Sequence, residues 1–395
     1  MARIPITGIG VVAPGAIGVD AFRSLLAGGA TAVAEVDRFD TAGLSAHKAA
    51  LIRDFAPKEF IAPMKMRRMN TLSRYALSAA RLALRDAAAA SLDERTGVAL
   101  GTAFGPVQTS VEYMQEYVQK GAALAPPQLF AESVANAPGS HIAIELGLRG
   151  FNVTVTQRES SALAAAMYAC SQILKGAAPA AITGGVDEVN EMLFSVLDRV
   201  RALAHGPDQA ARPFDRRRNG LVMGEGSAVL ILGGSGPPYA HLSGFGIGRD
   251  VSATVSDWGE DHSAVVTAMR AAIDDADIPM ADVDAVYASA NSTVRADRLE
   301  YRAIQALFGS AAPPVVATKG LFGEYAAGGA LPLVAAAIAM RDGVLHASTG
   351  FESGDDEMSI EVNRRQRAAP LRHVLVNSLS AGGGIVCAVL SREAE

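Results

Sequence analysis

Residues 151 to 188 read FNVTVTQRESSALAAAMYACSQILKGAAPAAITGGVDE. Val153, Val155 and their threonine neighbours form a β-branched run suited to a buried strand. Glu159, Ser160 and Ser161 then open a stretch of strong helix formers from Ala162 to Leu174. Gly176 closes that helix, and a second strand ends in the Gly184, Gly185 pair. Leu163, Ala164, Ala165, Met167, Ala169 and Ile173 make the helix apolar almost all round, which assigns it to the core. A strand, a sharp turn and a buried helix expose the residue at the helix N-terminus to free N–H groups and the positive end of the dipole. Acyl-transfer folds use this arrangement to stabilise an anion and activate a nucleophile. The residue standing there is Glu159.

With 395 residues, half of them apolar and 6% aromatic, the chain can bury a large core in one duplicated unit or two similar domains. A net charge of −6 argues against nucleic acid as a partner. The two cysteines, Cys170 and Cys387, lie in apolar runs typical of buried free thiols. No metal-ligand spacing surrounds them, so no metal site is expected and a reducing cytoplasm is inferred. The start, MARIPITGIGVVAPG, reads as a strand and turn rather than a signal peptide. The longest apolar stretch, 328 to 340, is too short to span a bilayer, so no membrane partner is expected.

In chain order, the pattern predicts a strand over 4–12, a helix over 20–27 capped by Asp20, a long helix over 66–89, a strand over 96–101, and helices over 107–121 and 135–146. In the 107–121 helix, Tyr113, Met114 and Tyr117 fall three or four apart, a stripe that reads first as core or interface packing and second as a substrate tunnel. A glycine cluster followed by an apolar strand occurs twice, GEG before SAVLIL at 224 and GGG before IVCAVL at 382. The first strand is echoed by 242–251, which contains GFGIG. This repetition predicts a duplicated α/β chain with helix-covered mixed sheets, divided within GGSGPPY at 233–239 into halves 1–236 and 237–395.

Four segments then resemble one family: ITGIGVVAPG at the start, RPFDRRRNGLVMGEGSAVLIL at 212–232, TKGLFGEYAAGGA at 318–330 and NSLSAGGGIVCAVL at 377–390. Together they resemble the β-ketoacyl synthase family of the thiolase fold, nearly from end to end. The resemblance implies a thiolase-like duplicated five-layer α/β/α/β/α sandwich, a dimer built edge to edge, and a pocket meeting a phosphopantetheine tunnel.

Active members of that family carry a cysteine nucleophile and two histidines. Carried over onto this chain, the cysteine position is Glu159. The first histidine position, in YASANST, is Ser289, while Asn291, Ser292, Thr293, Asp297 and Glu300 keep the surrounding frame. The second, in KGLFGE, is Glu324, preceded by a retained Lys319. The seven histidines, at 47, 141, 205, 241, 262, 346 and 373, all lie outside these motifs. Without a thiolate or imidazoles, no thioester intermediate or oxyanion donor of the usual kind exists, so no catalytic residue is expected.

This pattern resembles the chain-length-factor subfamily, the degenerate partner of an active ketosynthase in type II polyketide synthases, and GEYAAGG fits its glycine pattern. Two departures stand out. Those subunits usually place glutamine at the nucleophile position, whereas Gln157 lies two residues early, and the family's G-F-G-G gate reads Ser380-Ala381-Gly382-Gly383.

For Glu159 the plainer reading is a buried carboxylate held by helix N-terminal amides and by Lys319 or Arg158. The sharper one pairs it with Glu324 so that a general acid or base survives. Ser160 and Ser161 read as helix-start hydroxyls, since no base is at hand. Tyr113, Met114, Tyr117 and Phe130 are the candidates for the tunnel and interface. Lys65, Arg67, Arg68, Arg74 and Arg216 to Arg218 read first as a solvated face and second as a docking surface for an acidic acyl carrier protein.

The resemblance therefore implies a non-catalytic subunit that heterodimerises with an active ketosynthase and limits polyketide or polyene chain length. It implies no cofactor of its own, the substrates being carried on the phosphopantetheine of an acyl carrier protein. The alternative is a carrier-linked decarboxylase or hydrolase using Glu159 or Glu324, and a homodimeric acyl-binding scaffold stands third.

Overall fold

In the computed structural model, which describes residues 3–392, the glycines of the repeated GIG and GFGIG stretches set how closely helices approach the sheet. A Cβ at Gly10 would stand 1.9 Å from the carbonyl oxygen of Ala79, and one at Gly246 would stand 1.9 Å from that of Ala268. Both strands lie directly against a helix backbone, and only a bare Cα fits there.

Ten strands carry the architecture. They are β1 (Ile4–Ala13), β2 (Gly97–Gly101), β3 (Asn152–Val155), β4 (Ala180–Asp187), β5 (Gly226–Gly233), β6 (His241–Arg249), β7 (Ala285–Tyr287), β8 (Val315–Val316), β9 (His373–Leu379) and β10 (Gly384–Ser391). Their order is β8-β7-β9-β10-β6-β1-β5-β4-β2-β3, with a short strand, Ala16–Ile17, added beside β1. Within β1–β5 the order is third, second, fourth, fifth, first, and β6–β10 repeat it. In each set the second strand runs parallel to the third and fourth, while the fifth runs antiparallel to the fourth and first. The sets meet where Ile4 and Pro5 pair with Leu242 and His241.

The helices are α1 (Thr71–Asp86), α2 (Val107–Lys120), α3 (Ala137–Leu146), α4 (Ser161–Leu174), α5 (Glu191–Arg199), α6 (His262–Asp275), α7 (Val294–Phe308) and α8 (Leu331–Asp342). Alternation along the strands sorts them into layers. Ala181, Leu230, Val376 and Ala388 face inward onto α4 and α8. Ile182 and Ile231 face α1 and α3, and Leu375 and Cys387 face α6 and α7. The result is the five-layer α/β/α/β/α sandwich of the thiolase-like fold. The apolar run before Met340 is the buried central helix α8, and no helix of the described residues is long and apolar enough to cross a membrane.

Two helix starts differ from expectation. Asp20 does not cap the first helix, which spans Val19–Gly28 with Gly18 at its cap; Asp20 lies in the first turn and pairs with Arg23 at 3.0 Å. The helix expected over 66–89 divides into a short turn of helix, Pro63–Met66, and α1. The division falls at Asn70, whose side chain accepts the N–H of Ser73 at 2.6 Å.

The glycine contacts give a direct test. Gly246→Ala is expected to cost about 3 kcal/mol or more because backbone must move. Gly28→Ala, at an exposed helix end where an added Cβ meets nothing within 4 Å, should be neutral or stabilising by up to ~1 kcal/mol. Denaturant titration of both variants separates the two outcomes.

Candidate functional site

Beyond β3 the chain turns sharply. Arg158 adopts a left-handed backbone (φ +51°), and a single 3-10 turn over Arg158–Ser160 feeds into α4. The turn places the Glu159 carboxylate in complete burial. Its Oε1 accepts the Tyr325 hydroxyl at 2.9 Å, and its Oε2 accepts the backbone N–H of Ala381 at 3.0 Å. One expected holder is therefore corrected: Lys319 bonds Glu324 and not this carboxylate, whereas Glu159's own backbone N–H, in the turn that opens the helix, does act on it. Burial first, and the nearby Glu324 second, raise the pKa of Glu159, while Arg158 works against the shift. Ser160 and Ser161 behave as structural hydroxyls. Ser160 donates to the Ser378 carbonyl, and Ser161 accepts the N–H of Gln157 at 2.8 Å.

Lys319 is engaged next door. Its Nζ donates to Glu324 Oε2 at 2.7 Å and to the Ser289 carbonyl at 2.8 Å, with both side chains almost wholly buried. Asn291 Nδ2 donates to the same Glu324 oxygen at 2.8 Å, and the N–H of Tyr325 donates to the other at 3.0 Å. The Ser289 hydroxyl accepts the N–H of Leu379 at 2.9 Å. Behind them, Asp297 accepts the N–H groups of Phe214, Asn291 and Ser292, and Glu300 accepts that of Ser289. Burial pushes these two carboxyls up to about 6 and about 7. Glu159 and Glu324 thus hold separate donor sets and interact only through space.

Two residues that sequence reasoning passed over complete the site. Tyr325, itself in a left-handed conformation (φ +67°), meets Phe104 edge to face at 5.0 Å, and the Arg158 guanidinium lies 4.8 Å from the centre of the Phe104 ring. Tyr325 sat inside GEYAAGG as a visible bulky residue, whereas Phe104 gave no signal. The segment Ser380 to Gly383 closes over Glu159 from the other side. Ser380 Oγ donates to the Gln157 carbonyl, and the N–H of Gly382 donates to the Asp257 carbonyl at 2.8 Å. Neither thiol can substitute as nucleophile: burial pushes Cys170 up to about 12 and raises Cys387 well above its ordinary value.

The tunnel and interface candidates gather elsewhere, on α2 and the short helix Pro127–Glu132. Tyr113 packs between Tyr117 and Phe130, with ring centres 6.3 and 5.5 Å away. Met114, Tyr117 and Phe130 are exposed, as are Val118, Met192, Val196 and Val200, so the stripe is no part of this chain's core. Between α2 and Met192 runs a groove of about 530 Å³, lined by Val107, Val111, Met114 and Val118.

The basic residues divide. Arg218 is buried and bonded to Asp355 at 2.6 Å, which corrects the solvated-face reading for that position, and Arg217 is paired with Asp215. Lys65 pairs with Glu145. Arg67, Arg68 and Arg74 line one pocket of about 300 Å³ with Gln108 and Gln128 and form no ion pair among the described residues.

This architecture has known counterparts. The beta-ketoacyl synthase N-terminal domain matches residues 1–235, and the C-terminal domain of the same family matches residues 239–352. The chain belongs to the β-ketoacyl synthase family. This family member is 33% identical to the putative polyketide beta-ketoacyl synthase 1 of Streptomyces halstedii, over 98% of this chain and 97% of that one. It is 32% identical to the tetracenomycin polyketide synthase ketoacyl synthase alpha subunit of Streptomyces glaucescens, over 100% and 98%. In structure it resembles the ishigamide ketosynthase/chain length factor, with a TM-score of 0.91, 27% identity and 99% of both chains covered.

Two measurements test this electrostatic picture. Lys319→Met leaves Glu324 buried and uncompensated and should destabilise by about 3–5 kcal/mol in chemical denaturation. For Glu159, a raised folded pKa means that the native state holds the proton more tightly than the unfolded chain. That contribution is fully present below the ordinary value of 4.5 and is lost as pH rises. Glu159→Gln should therefore gain melting temperature relative to the parent progressively as pH rises above the ordinary value of 4.5. A difference that stays flat with pH would show that the carboxyl is unshifted.

Proposed function

We propose that this chain is a chain-length-factor-like subunit: it forms a heterodimer with an active ketosynthase and shapes the end of that enzyme's product tunnel. The observation that carries this reading is the filled catalytic position, a fully buried Glu159 whose two oxygens are committed to Tyr325 and Ala381. A carboxylate so engaged neither attacks a thioester nor reaches a substrate. Lys319 and Glu324 neutralise each other and offer no oxyanion donor.

Two surfaces support the assignment. β3 ends the strand order and pairs only with β2, leaving one free edge. Apolar side chains are exposed on α2, the short helix Pro127–Glu132 and α5, among them Met114, Tyr117, Val118, Phe130, Met192 and Val196. Such a face suits burial against a partner of the same fold. Tyr113, Met114, Tyr117 and Phe130 would then line the tunnel end. Arg67, Arg68 and Arg74, without ion pairs among the described residues, outnumber Glu112 and Glu132 in the pocket they share, a basic excess that suits an acidic acyl carrier protein bearing its phosphopantetheine arm.

Co-expression with a cysteine-intact ketosynthase, size exclusion, and a malonyl-carrier condensation assay form the test. A one-to-one complex is expected, active only with the partner's cysteine and indifferent to Glu159→Gln. Turnover by the isolated chain that disappears in Glu159→Gln would instead make it a carrier-linked decarboxylase or hydrolase.

A further inference from the structure

We infer that Arg158 faces the distal end of the chain growing on the partner ketosynthase, and that its guanidinium favours an oxygen-bearing end over a hydrocarbon one. The inference rests on the heterodimer reading above and names the residue through which the inert subunit would act.

Four observations converge on Arg158. Its left-handed backbone is uncommon for a residue with a side chain, and such strain persists only where the surroundings enforce it. Its guanidinium lies against the Phe104 ring, which fixes the plane of the group. Its Nε is buried and has no hydrogen-bond partner among the described residues. The obvious carboxylate, Glu159, is bonded instead to Tyr325 and Ala381. The structure thus holds a cation in a fixed orientation with a donor still seeking an acceptor.

The placement says where that acceptor must come from. Glu159, Tyr325, Phe104 and Arg158 form a continuous column of contacts, one hydrogen bond followed by two ring contacts. The column ends at Arg158, half-buried and three positions beyond Val155, the last residue of the free-edged strand β3. A partner docked on that edge covers Arg158 and removes its water. A hydrocarbon chain end would leave the guanidinium donors unsatisfied, whereas carbonyl or hydroxyl oxygens would accept them.

The test uses the co-expressed heterodimer. Two carrier-bound chains of equal carbon number compete for extension, one ending in a ketone and the other in a plain alkyl group. Complex affinity is measured in parallel. The parent pair should prefer the oxygenated chain. Arg158→Met, of similar reach but without donors, should keep complex affinity and lower the preference about tenfold, the loss of one charge-assisted hydrogen bond. Arg158→Lys should retain most of the preference. An unchanged preference in an intact Arg158→Met complex overturns the inference. So does loss of the complex in Arg158→Met with retention in Arg158→Lys, which would make Arg158 a contact to the partner protein. If the parent chain forms no complex at all, the heterodimer reading falls first and this inference with it.

Discussion

A lysine ammonium at the centre of a five-layer fold must meet an anion, and the arrangement around Lys319 follows from that requirement. Taking a charge out of water costs several kcal/mol unless a partner and further hydrogen bonds replace the lost hydration. Glu324 is the partner, at 2.7 Å, and Asn291 and the Ser289 carbonyl supply the remaining contacts. Glu324 is also bound through its backbone, donating to the Val222 carbonyl and accepting from Gly224, so the ion pair is anchored to the segment that leads into β5. Glu324 thereby makes the neighbouring lysine half of a closed pair.

Glu159 answers the same physics differently. Its pKa is raised, and its two contacts come from a phenol and a single amide rather than from a cation. Those contacts reach Tyr325, directly after Glu324, and Ala381, in the segment that replaces the family's gate. One buried side chain thereby ties together the turn before α4, the residue beside the ion pair and the covering loop.

The surfaces open to a partner include the free edge of β3, Arg158 three positions beyond its last residue, and the exposed apolar residues of α2 and α5. An interface there would join a sheet edge, an apolar face and one oriented cation, enough to give a partner both affinity and selectivity.

The sequence by itself determined the fold, the duplication and the family, and it placed acidic or hydroxyl residues at Glu159, Ser289 and Glu324. Each is written in local pattern: alternating β-branched strands, glycines wherever a helix backbone touches a strand, and Glu159, Ser289 and Glu324 standing in motifs otherwise recognisable. Only the tertiary structure decided which charges meet. Lys319 could have paired with either carboxylate, and Arg218 could have been solvated, because a motif fixes where a residue lies along the chain but not where its side chain ends. Likewise the column from Tyr325 through Phe104 to Arg158 joins residues far apart in sequence, with no periodicity to announce it. Packing distances of a few ångströms decide such contacts, and only the folded sheets and helices set those distances.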